Sequence, residues 1–444
     1  MVNNCSIELM DELPFTEVYL HPIIRDAHGI KMSKSLGNVV DPLHIVSGIT
    51  LEELHKAVDN GYLDEKALSK ARAGQTKLYP NGIPECGTDA LRFALCSYLT
   101  QARDLNLDVL RIEGYRKFCN KMWNAAKFAL MQLGDSYTAP DRDLMTCKLE
   151  TANFSTIDKW ILHRAAVAIS DTNTSLKEYQ FQQCTTAIYN FWLYDLCDVY
   201  LEATKRVFYK GSEDEKEAAR HTLYTCLDVG LRLIHPFMPF ISEELWQRLP
   251  RLGTETAPSL VVASYPRTGA LWLDTQLESR VNLVKDIVHT ARSVKDTYLE
   301  SKAKPEVFLS TSESLSDLIA VMEDLIGSTK LHLNESIPLG TAVGTVGNRC
   351  EVHVLVKGLV DPVQEINRFV GIIAIDPYPP FSRLQTKREG VEKFVQQTKE
   401  TIDKHTDKVP EHVRQANCNK LGSLQDELVT IDTAIANFRK LTDN

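Results

Sequence analysis

The chain has 444 residues, of which 43% are hydrophobic, so it is long enough to form two or three domains with substantial cores. Its formal net charge of −9 excludes capture of nucleic acid by the field of the whole molecule, so any RNA contact must use local basic patches. The ten cysteines include no C-x-x-C pair and no Cys/His cluster at zinc spacing, which predicts no metal site and a reducing compartment. No apolar run reaches the length of a membrane span, which predicts a soluble intracellular protein.

Residues 1–50 predict two strands, a loop and the start of a helix. Glu17–Arg25 has the composition of a strand, and Asp26–Gly29 has that of a tight turn. The loop that follows is Lys31-Met32-Ser33-Lys34-Ser35, in which two lysines lie three residues apart. Such a loop can anchor itself through Met32 and hold two ammonium groups over an anion. The alternative is an ordinary solvated basic loop.

Residues 51–102 predict helical segments that are separated by a loop at Tyr79–Pro84. Thr88 or Asp89 is placed to cap the second of these helices. Asp89 and Arg92 are three residues apart, and an ion pair between them on the surface would contribute only about a few tenths of a kcal/mol.

Residues 103–250 predict long amphipathic helices, because apolar side chains recur every three or four residues. Pro236 and Pro239 predict a bend or a break in the last of these helices. Five cysteines are predicted to be small core residues: Cys96, Cys119, Cys184, Cys197 and Cys226. The periodic stretches, which predict a helical bundle, lie near 112–134, 157–176, 181–209 and 216–248.

A basic and aromatic stretch lies at the start of this region, between Arg103 and Lys127. Six basic side chains accompany three acidic ones there, and Tyr115, Phe118 and Trp123 lie among them. Cations that hold phosphates and rings that stack on unpaired bases are typical of proteins that bind single-stranded RNA loops. The alternative is that Phe118 and Trp123 belong to the core of the bundle. The candidate RNA-binding residues are Arg103, Asn106, Arg116, Lys121, Trp123, Asn124 and Lys127.

The rest of the chain predicts a linker at 251–280, a small α/β module at 281–362 and a helical hairpin at 383–444. In the module, short β-rich runs at 307–309, 330–333 and 351–356 surround a helix near 313–326. In the hairpin, apolar side chains recur at coiled-coil spacing from Leu421 to Leu441, and Pro410 predicts the turn. The segment Val370–Pro380 has strand composition followed by prolines, so it predicts an interruption of the first helix.

The stretch around Lys31 resembles the KMSKS loop of class I aminoacyl-tRNA synthetases, and its longer context resembles valine–tRNA ligases of the eukaryotic cytosolic type. The resemblance runs in order over nearly the whole chain. It is carried by the segments LPFTEVYLHPIIRDAHGIKMSKSLGNVVDPLHIV, GIPECGTDALRFALCSYLTQARDLNLD, GYRKFCNKMWNAAKFAL, FWLYDLCDVYLE, TLYTCLDVGLRLIHPFMPFISEELWQRLP and KVPEHVRQANCNKL.

This resemblance implies a mainly α protein with a C-terminal remnant of a Rossmann-like α/β catalytic domain at residues 1–102. A helical-bundle anticodon-binding domain would follow at 103–250, and the chain would end in the small α/β module and a C-terminal coiled-coil hairpin. Met1–Leu13 would correspond to the last strands of the catalytic domain before the KMSKS loop. Asp89 and Arg92 would serve as scaffold where the catalytic fold meets the anticodon-binding domain.

The resemblance also implies roles in ATP binding. Lys34 would contact the phosphates most directly and Lys31 would assist, since catalysis of carboxylate activation depends on cations placed where charge develops. Ser33 and Ser35 would bond phosphate or shape the loop, Met32 would anchor it, and Gly29 would permit the turn. His21 matches a position beside the nucleotide, and its alternative is a structural histidine at a strand end. ATP is expected as substrate, with Mg²⁺ on its phosphates.

The implied reaction joins L-valine to tRNA(Val) and converts ATP to AMP and diphosphate in cytosolic protein biosynthesis. The chain contains no His-x-Gly-His motif, so we expect it to be a fragment that is inactive alone. The expected partners are tRNA(Val) and translation-factor or synthetase assemblies, with no DNA and no membrane. The alternatives are an isoleucine- or leucine-specific relative and a non-catalytic tRNA-binding protein derived from a truncated synthetase.

Overall fold

A computed structural model describes most of the chain, and within the described part the protein is mainly helical, as the sequence predicts. The chain divides into two compact units, residues 1–275 and 276–444. Lys34, Ser35, Arg103, Pro410 and the segment 370–378 lie outside the described residues. The described residues are 2–33, 38–59, 65–99, 104–139, 145, 154–253, 255–267, 272–299, 302–347, 349–356, 379–403 and single positions between 414 and 432.

The first part of unit 1 is a parallel pair of strands joined by a helical crossover. Strand β1 (Ile23–Arg25) pairs with β2 (Asp104–Asn106), so that Ile24 lies beside Leu105. Apolar side chains from the crossover and from both flanking segments form one core, which includes Ile45, Leu91 and Ile112. The helices that precede β1 and form the crossover are α1 (Val2–Met10), α2 (Pro42–Ser47), α3 (Leu51–Asp59), α4 (Glu65–Leu78) and α5 (Thr88–Tyr98).

Two predictions for the first 25 residues are wrong. Residues 1–13 were expected to form strands, but Val2–Met10 forms the helix α1. Glu17–Arg25 was expected to be one strand, but only Ile23–Arg25 is paired. A strand needs a neighbouring strand to satisfy its backbone N–H and C=O groups, whereas a helix satisfies them internally. Among the described residues, β2 is the strand that pairs with β1.

The predicted cap of α5 is also wrong. Its N-cap is Gly87, and no side chain caps the helix. Asp89 is buried and accepts hydrogen bonds from the N–H groups of Phe240 at 3.2 Å and Ile241 at 2.7 Å. Arg92 donates from Nη2 to the carbonyl of Pro236 at 3.0 Å, in place of the expected surface ion pair with Asp89. Both side chains therefore join α5 to the helical region that follows.

That helical region begins with a 25-residue helix and continues through six more helical segments. Ser155 and Ser212 begin two of them with reciprocal capping boxes. One helix ends at Ile234 and the next begins at Pro239, so the helix is interrupted where the two prolines predict a break. The elements are α6 (Val109–Leu133), α7 (Thr156–Lys177), α8 (Phe181–Asn190), a π-helical segment (Phe191–Tyr200), α9 (Leu201–Lys210), α10 (Glu213–Ile234) and α11 (Pro239–Trp246).

The bundle is held by a core of large side chains. Trp160, Trp192 and Trp246 are all buried, and the indole of Trp192 donates to the carbonyl of Gly230 at 3.1 Å. Of the predicted core cysteines, four are buried and Cys96 is half-buried. The π-helical segment could not be seen in the sequence, because its apolar side chains recur at nearly the spacing of an α-helix. A short 3₁₀ turn at Leu260–Val262 follows the bundle.

Unit 2 contains a four-stranded sheet with the strand order β4-β3-β6-β5. Strand β3 runs parallel to β4 and antiparallel to β6, which pairs antiparallel with β5. The three predicted strands are confirmed, but β5 was missed because its sequence, Thr-Ala-Val-Gly-Thr-Val, is short-chained and contains glycine. The elements are α12 (Thr275–Tyr298), β3 (Glu306–Thr311), a 3₁₀ turn (Ser316–Leu318), α13 (Ile319–Ile326), β4 (Lys330–Leu333), β5 (Thr341–Val346), β6 (Cys350–Leu355) and α14 (Pro379–Asp403).

Helix α14 contacts positions of the second predicted helix of the hairpin. Val391 and Val395 pack against Leu421, Leu424 and Leu428. Arg388 also donates from Nε to the carboxylate of Asp432 at 2.6 Å. None of the helices formed by the described residues has the length and apolarity that a membrane crossing needs.

Candidate functional site

The predicted phosphate loop begins at a tight turn after β1. The N–H of Gly29 donates to the carbonyl of Asp26 at 2.9 Å, and the N–H of Asp26 donates to the carbonyl of Ile30 at 3.0 Å. Gly29 has a φ of +77°, a left-handed conformation that side chains other than glycine's rarely adopt, so its predicted role in the turn is confirmed. The turn brings Lys31 back beside Arg25 in an antiparallel bridge.

The carboxylate of Asp26 is the centre of this turn. Its Oδ1 accepts from the N–H groups of His28 at 3.0 Å and Ile30 at 2.8 Å, and its Oδ2 accepts from the amide of Asn38 at 2.9 Å. Burial alone would raise the pKa of Asp26, but these hydrogen bonds outweigh it and lower that pKa from 3.8. The group is therefore an anion that serves as a hydrogen-bond acceptor.

Asn38 joins the two ends of the KMSKS loop. Its Oδ1 accepts from the N–H of Ser33 at 3.0 Å, and its Nδ2 lies 3.4 Å from the carbonyl of Lys31. Asp26 and Asn38, which we call the loop brace, were missed by the sequence prediction. The available signal was two short polar side chains on either side of the loop, because such side chains often bond nearby backbone groups.

The structure brings together four of the residues predicted to bind ATP. Gly29, Lys31, Met32 and Ser33 lie in one continuous turn, with the side chain of Lys31 exposed and that of Ser33 half-buried. Met32 packs against the core of the first part of unit 1, as the sequence predicts for an apolar anchor.

His21 lies outside this turn, on the segment that precedes β1. Its side chain is exposed, and its Nδ1 lies 2.9 Å from the carbonyl of Pro22. This local contact is what a structural histidine at a strand end would make, so the structure does not place His21 with the other candidate ATP-binding residues.

Asn106, which was predicted as an RNA contact, lies beside the turn at Gly29. A Cβ added to Gly29 would lie 3.5 Å from the side-chain amide of Asn106. On the adjacent strand position, the Nε of Arg25 lies 3.0 Å from the carboxylate of Asp104. The end of β2 therefore lies beside the turn, and the RNA contact of Asn106 stays a prediction.

The other described RNA-binding candidates lie on the exposed side of α6. Trp123 is 40% exposed, whereas Phe118 is only 3% exposed, so the core alternative holds for Phe118 and not for Trp123. The guanidinium of Arg248 lies 5.3 Å from the centre of the Trp123 ring, and Lys121 forms an ion pair with Asp198 at 2.7 Å. The basic face, as we call it, comprises Arg116, Lys121, Trp123, Asn124 and Lys127.

The two candidate surfaces differ in what they can do. A lysine at the end of a hydrogen-bonded turn can stabilise negative charge on a phosphate, because its ammonium is a compact charge on a flexible stem. A basic helix face with an exposed indole suits RNA. Within the part of the chain that the structure describes, no group of three His, Cys, Asp or Glu side chains is arranged to hold a metal ion.

Two family models match the chain. Residues 1–108 match the model "tRNA synthetases class I (I, L, M and V)", and residues 158–310 match the "Anticodon-binding domain of tRNA ligase". The first match contains the loop brace and the KMSKS loop, and the second contains most of the helical bundle.

Valine–tRNA ligases are similar to this chain over 98% of its length. The identity is 43% for the protein of Rattus norvegicus, 42% for that of Homo sapiens and 42% for that of Caenorhabditis elegans. The chain spans 34% of the length of the first two relatives and 41% of the third. A crystal structure of LeuRS from Agrobacterium radiobacter K84 in a ternary complex aligns with 70% of this chain and 28% of that chain at 17% identity, with a TM-score of only 0.39.

Proposed function

This chain belongs to the class I aminoacyl-tRNA synthetases as a relative of the valine–tRNA ligases, and from that premise we propose that it forms the KMSKS-loop and tRNA-binding portion of a valine–tRNA ligase. The reaction is ATP + L-valine + tRNA(Val) to valyl-tRNA(Val) + AMP + diphosphate, in the cytosol. The observation that supports the proposal is the continuous match of 42–43% identity over 98% of the chain. The intact Lys31-Met32-Ser33-Lys34-Ser35 sequence lies within it.

In the activation step, the carboxylate of valine attacks the α-phosphate of ATP and diphosphate leaves. Little covalent help is possible, so catalysis depends on positioning and on cations where charge develops. We assign this role to Lys34 and Lys31, with Ser33 and Ser35 as hydrogen-bond donors to phosphate; Mg²⁺ enters with the phosphates of the substrate. The loop brace joins the start of the loop to Asn38 at its end, and we expect this link to limit where the two lysines can reach.

In the transfer step, tRNA must be held against the same enzyme. We assign this contact to the basic face of α6, where Arg116 and Lys127 are exposed cations and Trp123 is an exposed ring. The net charge of −9 makes such local contacts necessary, since the field of the whole chain repels RNA.

A non-catalytic tRNA-binding protein is the second candidate, because the sequence contains no His-x-Gly-His motif. We expect the purified chain to show no valine-dependent ATP–pyrophosphate exchange, because the proposed activation step needs groups that this sequence does not contain. Exchange above background in a contaminant-free sample would contradict this expectation. Sequencing the transcript separates the two candidates: an in-frame His-x-Gly-His supports a ligase fragment, and a mature message without one supports the tRNA-binding protein.

Binding of tRNA tests the second half of the proposal. We expect tRNA(Val) to bind this chain more tightly than an isoleucine tRNA, and Lys127→Ala to reduce the slope of log K against log salt by about one unit. Lys70→Ala on α4, which also removes an exposed cation, is the matched control and should leave the slope unchanged. Equal slopes for wild type and both variants would contradict the assignment of the basic face.

A further inference from the structure

A tyrosine on the surface of the bundle is backed by aromatic rings that reach into its core. The ring of Tyr194 lies 6.0 Å from that of Tyr189, which in turn lies 4.8 Å from that of Phe118. Phe93, which is fully buried, lies 5.8 Å from Phe118 and 5.1 Å from Tyr115. We call these five residues the aromatic ladder. Its inner members are fixed by packing, so its outermost ring has a rigid support.

Tyr194 is an exception within its own element. Seven of the ten side chains of the π-helical segment are buried, whereas Tyr194 is 50% exposed and Asp198 is also exposed. π-Helical turns occur frequently at functional sites, since the altered winding changes where a side chain points. A ring that is already held in place loses little conformational entropy when a ligand stacks on it.

A cation lies near this ring. Asp198, one turn after Tyr194, binds Lys121 of α6 at 2.7 Å, and this ammonium is also close enough to Tyr189 to influence its phenol. Lys117 lies one turn before Lys121 and pairs with Glu113 at 2.9 Å. The two carboxylates on this edge, Asp198 and Glu113, are therefore each paired with a lysine of α6.

We propose that Tyr194, supported by Tyr189, is a stacking site for one unpaired base of an RNA loop, with Lys121 beside the adjoining phosphate. The inference rests on the proposed binding of tRNA and names a contact within it. Every base has a π face, so such a site adds affinity without reading sequence. The site is separate from that of Trp123, an exposed residue of α6 whose ring contacts Arg248.

The test is a fluorescence titration of tRNA(Val) with the whole chain and its variants. Tyr194→Ala should weaken binding by about tenfold, the effect of losing one base stack, while Tyr194→Phe should stay within about twofold. The salt slope should not change with Tyr194→Ala, because no cation is removed. Tyr209→Ala is the matched control: Tyr209 is 83% exposed on α9 beside Lys210, and we expect its loss to change binding by less than about twofold.

The outcomes distinguish this site from the proposed function. If Tyr194→Ala bound tRNA(Val) as tightly as wild type, the stacking site would be wrong. Equal losses of affinity for Tyr194→Ala and Tyr209→Ala would also overturn it. If wild type itself fails to bind tRNA(Val), the proposed function is wrong and the stacking site falls with it. Thermal melting of each variant confirms that it is folded, which we expect because both tyrosines are at least half-exposed.

Discussion

The KMSKS loop and the helical bundle are held in place by different interactions. In the described part of the loop, the hydrogen bonds of Asp26 and Asn38 and the packing of Met32 against the core hold the chain in place. The bundle instead buries whole aromatic side chains, including Trp160 and Trp192. A few hydrogen bonds open at a smaller cost than a packed core does. We therefore expect the loop to open locally more readily than the bundle, whose packed core fixes its surface.

Helix α5 connects these two regions. Its apolar face, through Ala90 and Leu91, shares a core with Met32 of the loop. On its other side, Asp89 accepts hydrogen bonds from the first turn of α11. A change at Asp89 should therefore destabilise the bundle more than the loop.

The largest effect is expected in the bundle, from Gly230→Ala. A Cβ at residue 230 would lie 2.9 Å from the Trp192 ring, which is packed on all sides, so the change should lower the free energy of unfolding by about 1–3 kcal/mol. Gly114→Ala is the matched control: no atom lies within 4 Å of its added Cβ, and we expect stabilisation by about 0.5–1 kcal/mol. Urea denaturation followed by circular dichroism measures both. If both variants were destabilised to the same extent, the contact between residue 230 and Trp192 could not be the cause, and the prediction would be wrong.

An intermediate effect is expected from Asp89→Ala. The change leaves the N–H groups of Phe240 and Ile241 without their acceptor, and the loss of a helix cap costs about 1 kcal/mol. Thr88→Ala removes the neighbouring side chain, which the structure does not use as a cap, and should change stability by less than about 0.5 kcal/mol. The same urea denaturation measures both variants. Similar losses of stability for the two would contradict the role of Asp89 as the cap of α11.

The smallest effect on global stability is expected from Asn38→Ala, which should act on the loop alone. The amide of Ser33 loses its acceptor and should exchange with solvent about tenfold faster, because a hydrogen bond is worth about 1 kcal/mol. The amide of Ile30 keeps Asp26 as its acceptor, but Asp26 loses the bond from Asn38, so this amide should also exchange faster. Hydrogen exchange by NMR measures this. Asp41→Ala, which removes the cap of α2 three residues away, should leave both amides unchanged. Unchanged exchange in Asn38→Ala would mean that the loop brace does not hold the loop.

The same residues predict a dependence on pH. The pKa of Asp26 is lowered in the folded chain, so its stabilisation of the loop is complete above the ordinary value of 3.8. It is then lost as the pH falls through the lower, folded pKa. Protection of Ile30 should therefore decrease in acid below 3.8, and this decrease should be smaller in Asn38→Ala, which no longer favours the anion as strongly. An equal decrease in both proteins would contradict the role of Asn38.

The sequence by itself determined the features that repeat or match within a short stretch. The bundle helices followed from apolar side chains three and four residues apart, and the strand at 330–333 followed from its β-rich run. The KMSKS loop and its apolar anchor, Met32, were also visible, since both depend on adjacent residues.

The tertiary structure alone decided which distant groups meet. Asn38 reaches Asp26 across 12 residues, and Asp89 reaches Phe240 across 151. The same holds for α1, which forms a helix where strands were expected, and for Tyr194, whose support comes partly from α5 and α6. Local propensity cannot rank such partners, because a buried polar group or an aromatic ring takes whichever neighbour the fold brings within bonding distance.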